Sequence, residues 1–194
     1  MILSDDHIQK LCTNGSMIEP FVNHIERGCV EDPKLSYGLS SYGYDIRLSG
    51  GAFYTYKVLP GKVVDPKLFN PRHLQREILH RDENGEYFIL PAHTYALGYA
   101  HEKLVIPDNI TVICIGKSTY ARCGIVVNTT PAEAGWEGYL TLEIANSSDA
   151  ACRIYANEGI AQLLFVKGEP CLTSYQDRNG KYQYQKAEVT FAKV

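Results

Sequence analysis

Short apolar segments separated by turn residues recur along most of this chain, at intervals of roughly 8–12 residues. They are rich in β-branched and aromatic residues, as strands are, and no helical pattern alternates with them. A parallel sheet of the Rossmann type is therefore not expected. The pattern predicts a mainly β fold, a barrel or a jelly-roll-like sandwich, with strands at residues 52–58, 87–89, 94–102, 110–115, 139–146 and 159–166.

Local signals predict a few shorter elements. Ser4, followed by Asp5 and Asp6, predicts the start of a short N-terminal helix, and Asn14-Gly15 predicts its end. The other predicted elements are a turn at Leu59-Pro60-Gly61, a short helix from Asn70-Pro71 that carries Leu74 and Ile78, a hairpin turn at Asn84-Gly85 and a final strand at residues 188–191.

Size and charge set broad limits on function. The chain has 194 residues and a formal net charge of -3, which suit one domain over residues 1–194 and offer no broad basic surface to nucleic acid. No segment approaches the roughly 20 apolar residues of a membrane span, and the N-terminus lacks the apolar run of a signal peptide. The six cysteines form no C-x-x-C pair and are interpreted as free thiols. We therefore expect a cytoplasmic protein that binds neither membrane nor nucleic acid.

Residues 116–122 (GKSTYAR) gather small and cationic side chains directly after a predicted strand. Ser118 or Thr119 can cap a short helical turn whose free N–H groups face an anion. Lys117 and Arg122 add cationic donors. The segment therefore predicts a binding corner for a phosphate chain.

The strand predicted at residues 139–146 carries a carboxylate in its middle. Leu142 and Ile144 point to one face, while Thr141, Glu143 and Ala145 point to the other. A glutamate on the polar face of such a strand is a candidate acid/base, and a solvated strand carboxylate is the ordinary alternative.

Two other polar features admit both a structural and a functional reading. Asp45 and Arg47 share a face of a predicted strand and lie close enough to pair, which favours a structural ion pair over a catalytic one. Gln162 interrupts an apolar strand, so its amide needs a partner, either neighbouring backbone or a ligand.

The polar, tyrosine-rich tail that begins at Ser174 turns at Asn179-Gly180. We predict that this tail is mobile and that Tyr175, Lys181 and Gln185 reach a ligand from it.

The motifs do not support metal or Walker-type chemistry. His24-Ile25-Glu26 matches the H-x-E start of the zinc-deaminase signature, but Pro170-Cys171-Leu172-Thr173 lacks the second cysteine which that signature requires. The histidines show no ligand-like spacing. Gly116-Lys117-Ser118 lacks the upstream half of a Walker A motif, where Thr111 and Val112 stand instead of glycine. We predict no metal site.

Several longer motifs occur together in this chain: GKSTYARCG at 116–124, GWEG at 135–138, TLE at 141–143, SSYGYDIR upstream, and YANEGIAQLLF with SYQDRNGKYQYQ downstream. Together they resemble the dCTP deaminase family and its relative, the trimeric dUTPases, from about Ser4 to Phe191. The resemblance implies a dUTPase-like distorted jelly-roll or β-barrel, a homotrimer with active sites between subunits, and hydrolysis of dCTP to dUTP and ammonia. It also implies that no metal performs the deamination and that Mg²⁺ accompanies the substrate triphosphate.

The resemblance also assigns roles to single residues. Glu143 matches the family's proton-transferring glutamate, and Ser118 and Arg122 match residues that position the attacking water and contact phosphate or base. A backbone carbonyl at Pro131 is expected to help orient that water. The positions that match nucleotide contacts are Lys117, Ser118, Thr119, Tyr120, Ala121, Arg122, Thr141, Leu142, Glu143, Gln162, Tyr175, Lys181 and Gln185.

The chain departs from the family in the segment before GWEG. Many relatives carry an Ile-Asp there, whose aspartate contacts the sugar 3′-hydroxyl and in dUTPases activates the water. This chain has the shorter TTPAEAGWEG, with Glu133 and no aspartate. The departure weakens one alternative, a dUTP diphosphatase or a bifunctional enzyme. A non-catalytic nucleotide-binding regulator is the other alternative, and the resemblance further implies feedback inhibition by dTTP.

Overall fold

The computed structural model describes residues 1–58 and 61–194. The turn predicted at Leu59-Pro60-Gly61 includes residues 59 and 60, which lie outside the described residues. The prediction of a mainly β fold with a short N-terminal helix is confirmed. In chain order the elements are α1 (Asp5–Gly15), β1 (Ile18–Glu19), β2 (Ile25–Glu26), β3 (Tyr37–Ser40), β4 (Gly43–Arg47), β5 (Tyr54–Tyr56), a 3₁₀ turn (Pro71–His73), β6 (Leu74–Arg76), β7 (His80–Asp82), β8 (Gly85–Leu90), β9 (Tyr95–Val105), β10 (Ile110–Gly116), α2 (Ser118–Ala121), β11 (Ile125–Asn128), β12 (Glu137–Asn146), β13 (Cys152–Tyr155) and β14 (Gly159–Lys167).

One large antiparallel sheet brings distant parts of the chain together. Its strands follow the order β2-β3-β4-β14-β10-β11-β12-β9-β5-β6, with β1 paired to β9, and a smaller sheet has the order β13-β8-β7. The register aligns one residue from each of five neighbouring strands in a row across the large sheet. This row runs Asp45, Gln162, Ile115, Asn128 and Glu143.

Alternate residues of these strands form the core. In β12 every second side chain is buried, including Leu142 and Ile144, and Leu163 and Phe165 of β14 are buried on the same inner face. Complete burial of such a side chain stabilises the fold by roughly 1.5–3 kcal/mol. Because side chains alternate along a strand, the residues of the row point to the outer face of the sheet.

Helix α1 begins and ends where the sequence predicts. Ser4 is its N-cap residue, although the Ser4 side chain makes no cap hydrogen bond. Ile8 is completely buried against the sheet, and Ser16 adopts a left-handed conformation (φ 50°) directly after the helix. No helix in the described part of the chain has both the length and the apolar character needed to cross a lipid bilayer.

Two local predictions are wrong, and a third is confirmed. The Asn70 side chain accepts the Arg72 N–H (3.0 Å) and caps a single 3₁₀ turn, but the chain then continues as β6 from Leu74 instead of extending a helix. Residues 188–191 form no strand, because the Thr190 N–H is bound by a side-chain hydroxyl and not by a neighbouring backbone. The hairpin predicted at Asn84-Gly85 joins β7 to β8.

Candidate active site

A cavity of about 800 Å³ opens on the outer face of the large sheet. It lies between β9, β12, the loop between β11 and β12, and the tail (residues 174–193). Its volume is typical of sites for small molecules of nucleotide size. Polar and aromatic side chains dominate its lining, among them Tyr56, Tyr95, Glu133, Thr141, Glu143, Tyr175, Arg178, Lys181 and Gln185.

Glu143 points into this cavity from the middle of β12, as the alternation of the strand predicts. Its cross-strand neighbours are Asn128 on β11 and Leu97 on β9. Burial raises the pKa of Glu143 from 4.5 to about 7, because the carboxylate loses hydration there. A carboxyl group with this pKa exchanges protons near neutral pH, as general acid/base catalysis requires.

The tail is docked along β12, where the sequence predicts a mobile segment. The Tyr139 N–H donates to the Gln185 carbonyl (3.0 Å), and the Tyr184 N–H donates to the Glu137 carbonyl (2.8 Å). The Thr141 hydroxyl donates to Oε1 of Gln185 (3.1 Å). These bonds fix the tail as one wall of the cavity.

The three tail residues predicted to reach a ligand, Tyr175, Lys181 and Gln185, all line the cavity. The Lys181 ammonium donates to the Lys193 carbonyl (2.7 Å). The structure therefore brings these residues together with Thr141 and Glu143 of the predicted site.

The GWEG motif holds the tail in place. Gly138 has a φ of 146°, and a Cβ atom there would lie 2.6 Å from the backbone nitrogen of Gln185. Only glycine combines this backbone conformation with so close an approach. Trp136 is buried, lines the cavity and donates through Nε1 to the Tyr182 carbonyl (2.8 Å). The sequence shows this motif but not its partner in the tail, since Tyr182 lies 46 residues after Trp136 along the chain.

The GKSTYAR segment lies outside this cavity. Among the described residues, none from Lys117 to Arg122 contributes to the cavity lining. The N-cap residue of α2 is Lys117, and no side chain caps the helix, so the predicted capping by Ser118 or Thr119 is wrong. The Arg122 guanidinium instead donates back to the Ser118 carbonyl (2.9 Å).

The predicted nucleotide contacts of this segment differ in exposure. The ring of Tyr120 is buried, and its hydroxyl accepts the Tyr155 N–H (2.8 Å). Leu142 is also completely buried, so Tyr120 and Leu142 offer a ligand only their backbone groups. The exposed members are Ser118, Thr119, Ala121 and Arg122.

The Lys117 ammonium is already engaged inside the chain. It pairs with the Asp45 carboxylate and donates to the Ser36 hydroxyl (3.1 Å), and the side chains of Lys117 and Asp45 are 11% and 9% exposed. Arg47 pairs instead with the buried Glu102 (Nε to Oε1, 2.6 Å). The predicted Asp45–Arg47 pair is therefore wrong, because Asp45 pairs with Lys117, the residue directly after β10, and Arg47 pairs with Glu102 of β9.

Gln162 finds a side-chain partner. Its amide nitrogen donates to the Ser40 hydroxyl (3.3 Å), and the residue stays partly exposed on the outer face of β14. Gln162 is the cross-strand neighbour of Asp45, so it lies on the side of the sheet where Asp45 binds Lys117.

An exposed apolar strip separates the two halves of the predicted site. Its members, Ile113, Ile115 and Val126, lie on β10 and β11 and are 41%, 48% and 52% exposed. In the row across the sheet, Gln162 lies on one side of this strip and Glu143 on the other. One chain therefore carries both halves of the site but does not bring them together.

Sequence patterns did not single out Tyr56, Tyr95 or Arg178, which also line the cavity. Glu133, which stands in the region where relatives carry an aspartate, lines the cavity as well and forms an ion pair with Arg178. The tyrosines follow an alternating pattern, but their place beside Glu143 depends on the register of β5, β9 and β12.

The His24 and Glu26 side chains of the H-x-E match are exposed and pair with each other (Nε2 to Oε1, 2.8 Å). Within residues 1–58 and 61–194, no group of three or more His, Cys, Asp or Glu side chains could hold a metal ion. The six cysteines are free thiols, as predicted.

The fold and the cavity define a mainly β protein with a nucleotide-sized site around an ionisable carboxylate. A family model described as dCTP deaminase-like matches residues 2–168. The chain is 47% identical over 193 residues to a dCTP deaminase of Campylobacter concisus, covering 98% of this chain and 97% of the relative. It is 45% identical over 194 residues to a dCTP deaminase of Pseudomonas aeruginosa. That match covers 100% of this chain and 99% of the relative.

A solved structure, the 2'-deoxycytidine 5'-triphosphate deaminase of Agrobacterium tumefaciens, shares the fold with a TM-score of 0.56 at 18% sequence identity. That match covers 89% of this chain and 49% of the solved chain, so this chain spans about half the length of that one. The chain belongs to the dCTP deaminase-like family.

Proposed function

We propose that this chain hydrolyses dCTP to dUTP and ammonia, and that Glu143 transfers the protons. The position of Glu143 in the cavity, with a pKa raised by burial to about 7, is the observation that carries this role. Membership of the dCTP deaminase-like family supports dCTP as the substrate.

In the proposed mechanism Glu143 acts first as a base and then as an acid. Its carboxylate takes a proton from a water molecule while the water oxygen bonds to C4 of the cytosine ring, and the proton passes to N3. The remaining hydroxyl proton then moves through Glu143 to the amino group. The C4–N4 bond breaks, ammonia leaves and a C4 carbonyl remains. Pro131 lines the cavity, and its backbone carbonyl is proposed to orient the water together with Ser118 and Arg122.

A second copy of the chain is proposed to complete the site. Ser118 and Arg122 are exposed and lie outside the cavity that contains Glu143, and the apolar strip separates the two regions. A head-to-tail contact that covers this strip would bring Ser118 and Arg122 of one copy to Glu143 of the next. Three such contacts close the ring of a homotrimer.

The remaining contacts are assigned by position and chemistry. Arg122 and Lys181 are proposed to bind the triphosphate, because guanidinium and ammonium groups are the natural phosphate partners. Lys117 is proposed to act mainly through its backbone, since its ammonium is paired with Asp45. The other proposed nucleotide contacts are Thr119, Tyr120, Ala121, Thr141, Leu142, Gln162, Tyr175 and Gln185.

Mg²⁺ is proposed to arrive with the triphosphate as part of the substrate, and the deamination step is proposed to need no metal at the ring. Removing Mg²⁺ with EDTA should therefore raise the KM for dCTP while ammonia is still released at saturating dCTP. A complete loss of ammonia release at every dCTP concentration would contradict this proposal.

dTTP is proposed to inhibit through the same cavity, because it shares the deoxyribose and the triphosphate with dCTP. Competition between dTTP and dCTP in the deamination assay tests this point. A cytoplasmic location is proposed from the six free thiols, which suit a reducing compartment.

Incubating the protein separately with dCTP and with dUTP tests the reaction. We expect ammonia from dCTP and no pyrophosphate from either nucleotide. Pyrophosphate from dUTP would favour a diphosphatase or a bifunctional enzyme, and binding without turnover would favour a regulator.

The substitution Glu143→Gln keeps the shape of the side chain and removes the base. We expect ammonia release to fall by about 10²–10⁴-fold, the usual contribution of a positioned general base. Undiminished deamination in this variant would rule out Glu143 as the proton carrier.

A further inference from the structure

Two tyrosines lie beside Glu143 in the cavity. Along β9, Leu97 is the cross-strand partner of Glu143 and Tyr95 that of Ala145, so Tyr95 is a diagonal neighbour of Glu143 on the outer face. Diagonal neighbours in an antiparallel pair lie within reach of an aromatic side chain. Tyr56, on the next strand but one, lines the same cavity.

An aromatic cluster holds the two rings. The centroids of Tyr56 and Tyr95 are 5.4 Å apart, with the ring planes at 73°. Phe69 packs against Tyr56 at 6.4 Å, and Phe191 of the tail packs against Phe69 at 5.9 Å. Tyr95 is 37% exposed, so its ring is supported from behind while part of it remains open to the cavity.

Both tyrosine side chains are neutral near pH 7. Burial and the nearby Glu143 carboxylate raise the pKa of Tyr95 to about 12, and the same causes raise the pKa of Tyr56. Neither ring therefore adds charge near neutral pH. What the rings add beside the Glu143 carboxylate is surface that excludes water.

The other ionisable groups around the cavity place no unpaired charge beside the Glu143 carboxylate. Glu133 and Arg178 neutralise each other, and the Lys181 ammonium is bound to the Lys193 carbonyl. Cys114, which lies between Ile113 and Ile115 on β10 and packs against the core, adds no charge either, because burial raises the pKa of its thiol to about 11.

We propose that Tyr95, backed by Tyr56, forms the aromatic wall of the pyrimidine subsite, where it shields the Glu143 carboxylate from bulk water and gives the cytosine ring a face to stack on. This inference rests on the proposed deamination. The two roles have separate signatures: shielding sets the pH dependence of the reaction, and stacking sets the affinity for the base.

The test is the pH profile of kcat/KM for dCTP in Tyr95→Ala, Tyr95→Leu and Tyr95→Phe. The base must be ionised, so the wild-type profile falls on the acidic side as Glu143 takes up a proton. Tyr95→Ala admits water, and we expect its acidic limb to move about one pH unit lower and its KM to rise about ten-fold. Tyr95→Leu keeps apolar bulk but offers no ring, so its limb should move less while its KM rises equally. Tyr95→Phe keeps the ring and should hold the limb at the wild-type position.

A purely structural role for Tyr95 would lower the thermal stability without moving the acidic limb. The inference is overturned if the limb of Tyr95→Ala coincides with that of the wild type, or if Tyr95→Phe shifts it as far as Tyr95→Ala does. Wild-type protein that releases no ammonia from dCTP would instead overturn the proposed function, and this inference with it.

Discussion

The burial that suits Glu143 to its proposed role in proton transfer also affects the stability of the fold. Burial raises its pKa from 4.5 in the unfolded chain to about 7 in the folded chain. The folded state therefore holds the proton more tightly, and ionisation favours unfolding. The loss of stability caused by the buried, ionised carboxylate is absent below about pH 4.5. It grows as the pH rises and is complete above about pH 7.

We therefore expect Glu143→Gln to stabilise the protein at pH 8 and to have little effect at pH 4.5. A shift of this size corresponds to about 3 kcal/mol at complete burial, and we expect about 1–2 kcal/mol because the side chain is partly exposed. Urea unfolding at the two pH values measures the difference. The exposed Glu169→Gln is the matched control, and an equal gain at both pH values would contradict the explanation.

The buried pair of Asp45 and Lys117 is expected to contribute to the stability of the fold more than exposed pairs do. Asp45→Asn leaves the Lys117 ammonium, whose side chain is 11% exposed, without its counter-charge. We expect a loss of about 3–5 kcal/mol in the free energy of unfolding. Denaturant unfolding checks this value. In the exposed pair of Lys10 and Asp6, the variant Asp6→Asn should leave the free energy of unfolding almost unchanged, because water screens that pair.

At the scale of elements, the contact between the tail and β12 depends on one glycine. In Gly138→Ala the new Cβ would lie 2.6 Å from the Gln185 nitrogen, at a φ of 146°. Such strain costs about 1–3 kcal/mol, and moving the tail relieves it. We expect the KM for dCTP to rise about ten-fold or more while the sheet stays folded.

The matched control for this change is Gly168→Ala, because nothing lies within 4 Å of a Cβ placed there. It should leave the KM at the wild-type value. An equal KM for the Gly138 variant would show that the docked tail does not contribute to substrate binding.

Local periodicity was sufficient to predict the long strands β9, β10, β12 and β14 and the outward direction of Glu143, but not short strands such as β11 and β13. Each prediction depends on neighbours along one strand, and the alternation of β12 is regular. The docking of the tail could not be predicted, because its partners are distant in the chain. Gln185 pairs with Gly138 through the backbone, and no repeating sequence pattern marks such a contact. The helix predicted after Asn70 fails for a similar reason, since Leu74 pairs with Tyr56 as part of β6.

The candidate site was predicted in part. Glu143, Thr141, Tyr175, Lys181 and Gln185 share the cavity, as the motifs imply. The partners of charged residues could not be predicted, because several acids and bases alternate on neighbouring strands. Which of them pair depends on the register, and Lys117 pairs with Asp45, 72 residues away.

At the scale of the whole molecule, the proposed site between two copies predicts complementation. Glu143→Gln and Arg122→Ala should each be inactive alone. In rings assembled at random from equal amounts of the two, a site is intact only where the Glu143 of an Arg122→Ala chain meets the Arg122 of a Glu143→Gln chain. This combination has a probability of about one quarter, so co-expression should restore about a quarter of the wild-type activity.

Co-expression of Glu143→Gln with the double variant Glu143→Gln/Arg122→Ala is the control, and it should restore nothing, because no chain then carries Glu143. If the first mixture also stayed inactive, Glu143 and Arg122 would have to act within one chain, and the proposed ring would be wrong.

Trp136 is the only tryptophan in the sequence. Its indole lies between the cavity and the tail and is bonded to the tail backbone at Tyr182. Indole emission responds to changes in polarity and hydrogen bonding, so the fluorescence of the unlabelled protein should report any separation of the tail from the sheet. The chain thus contains an intrinsic optical probe that contacts both the cavity and the tail, so its emission should report nucleotide binding and tail movement together.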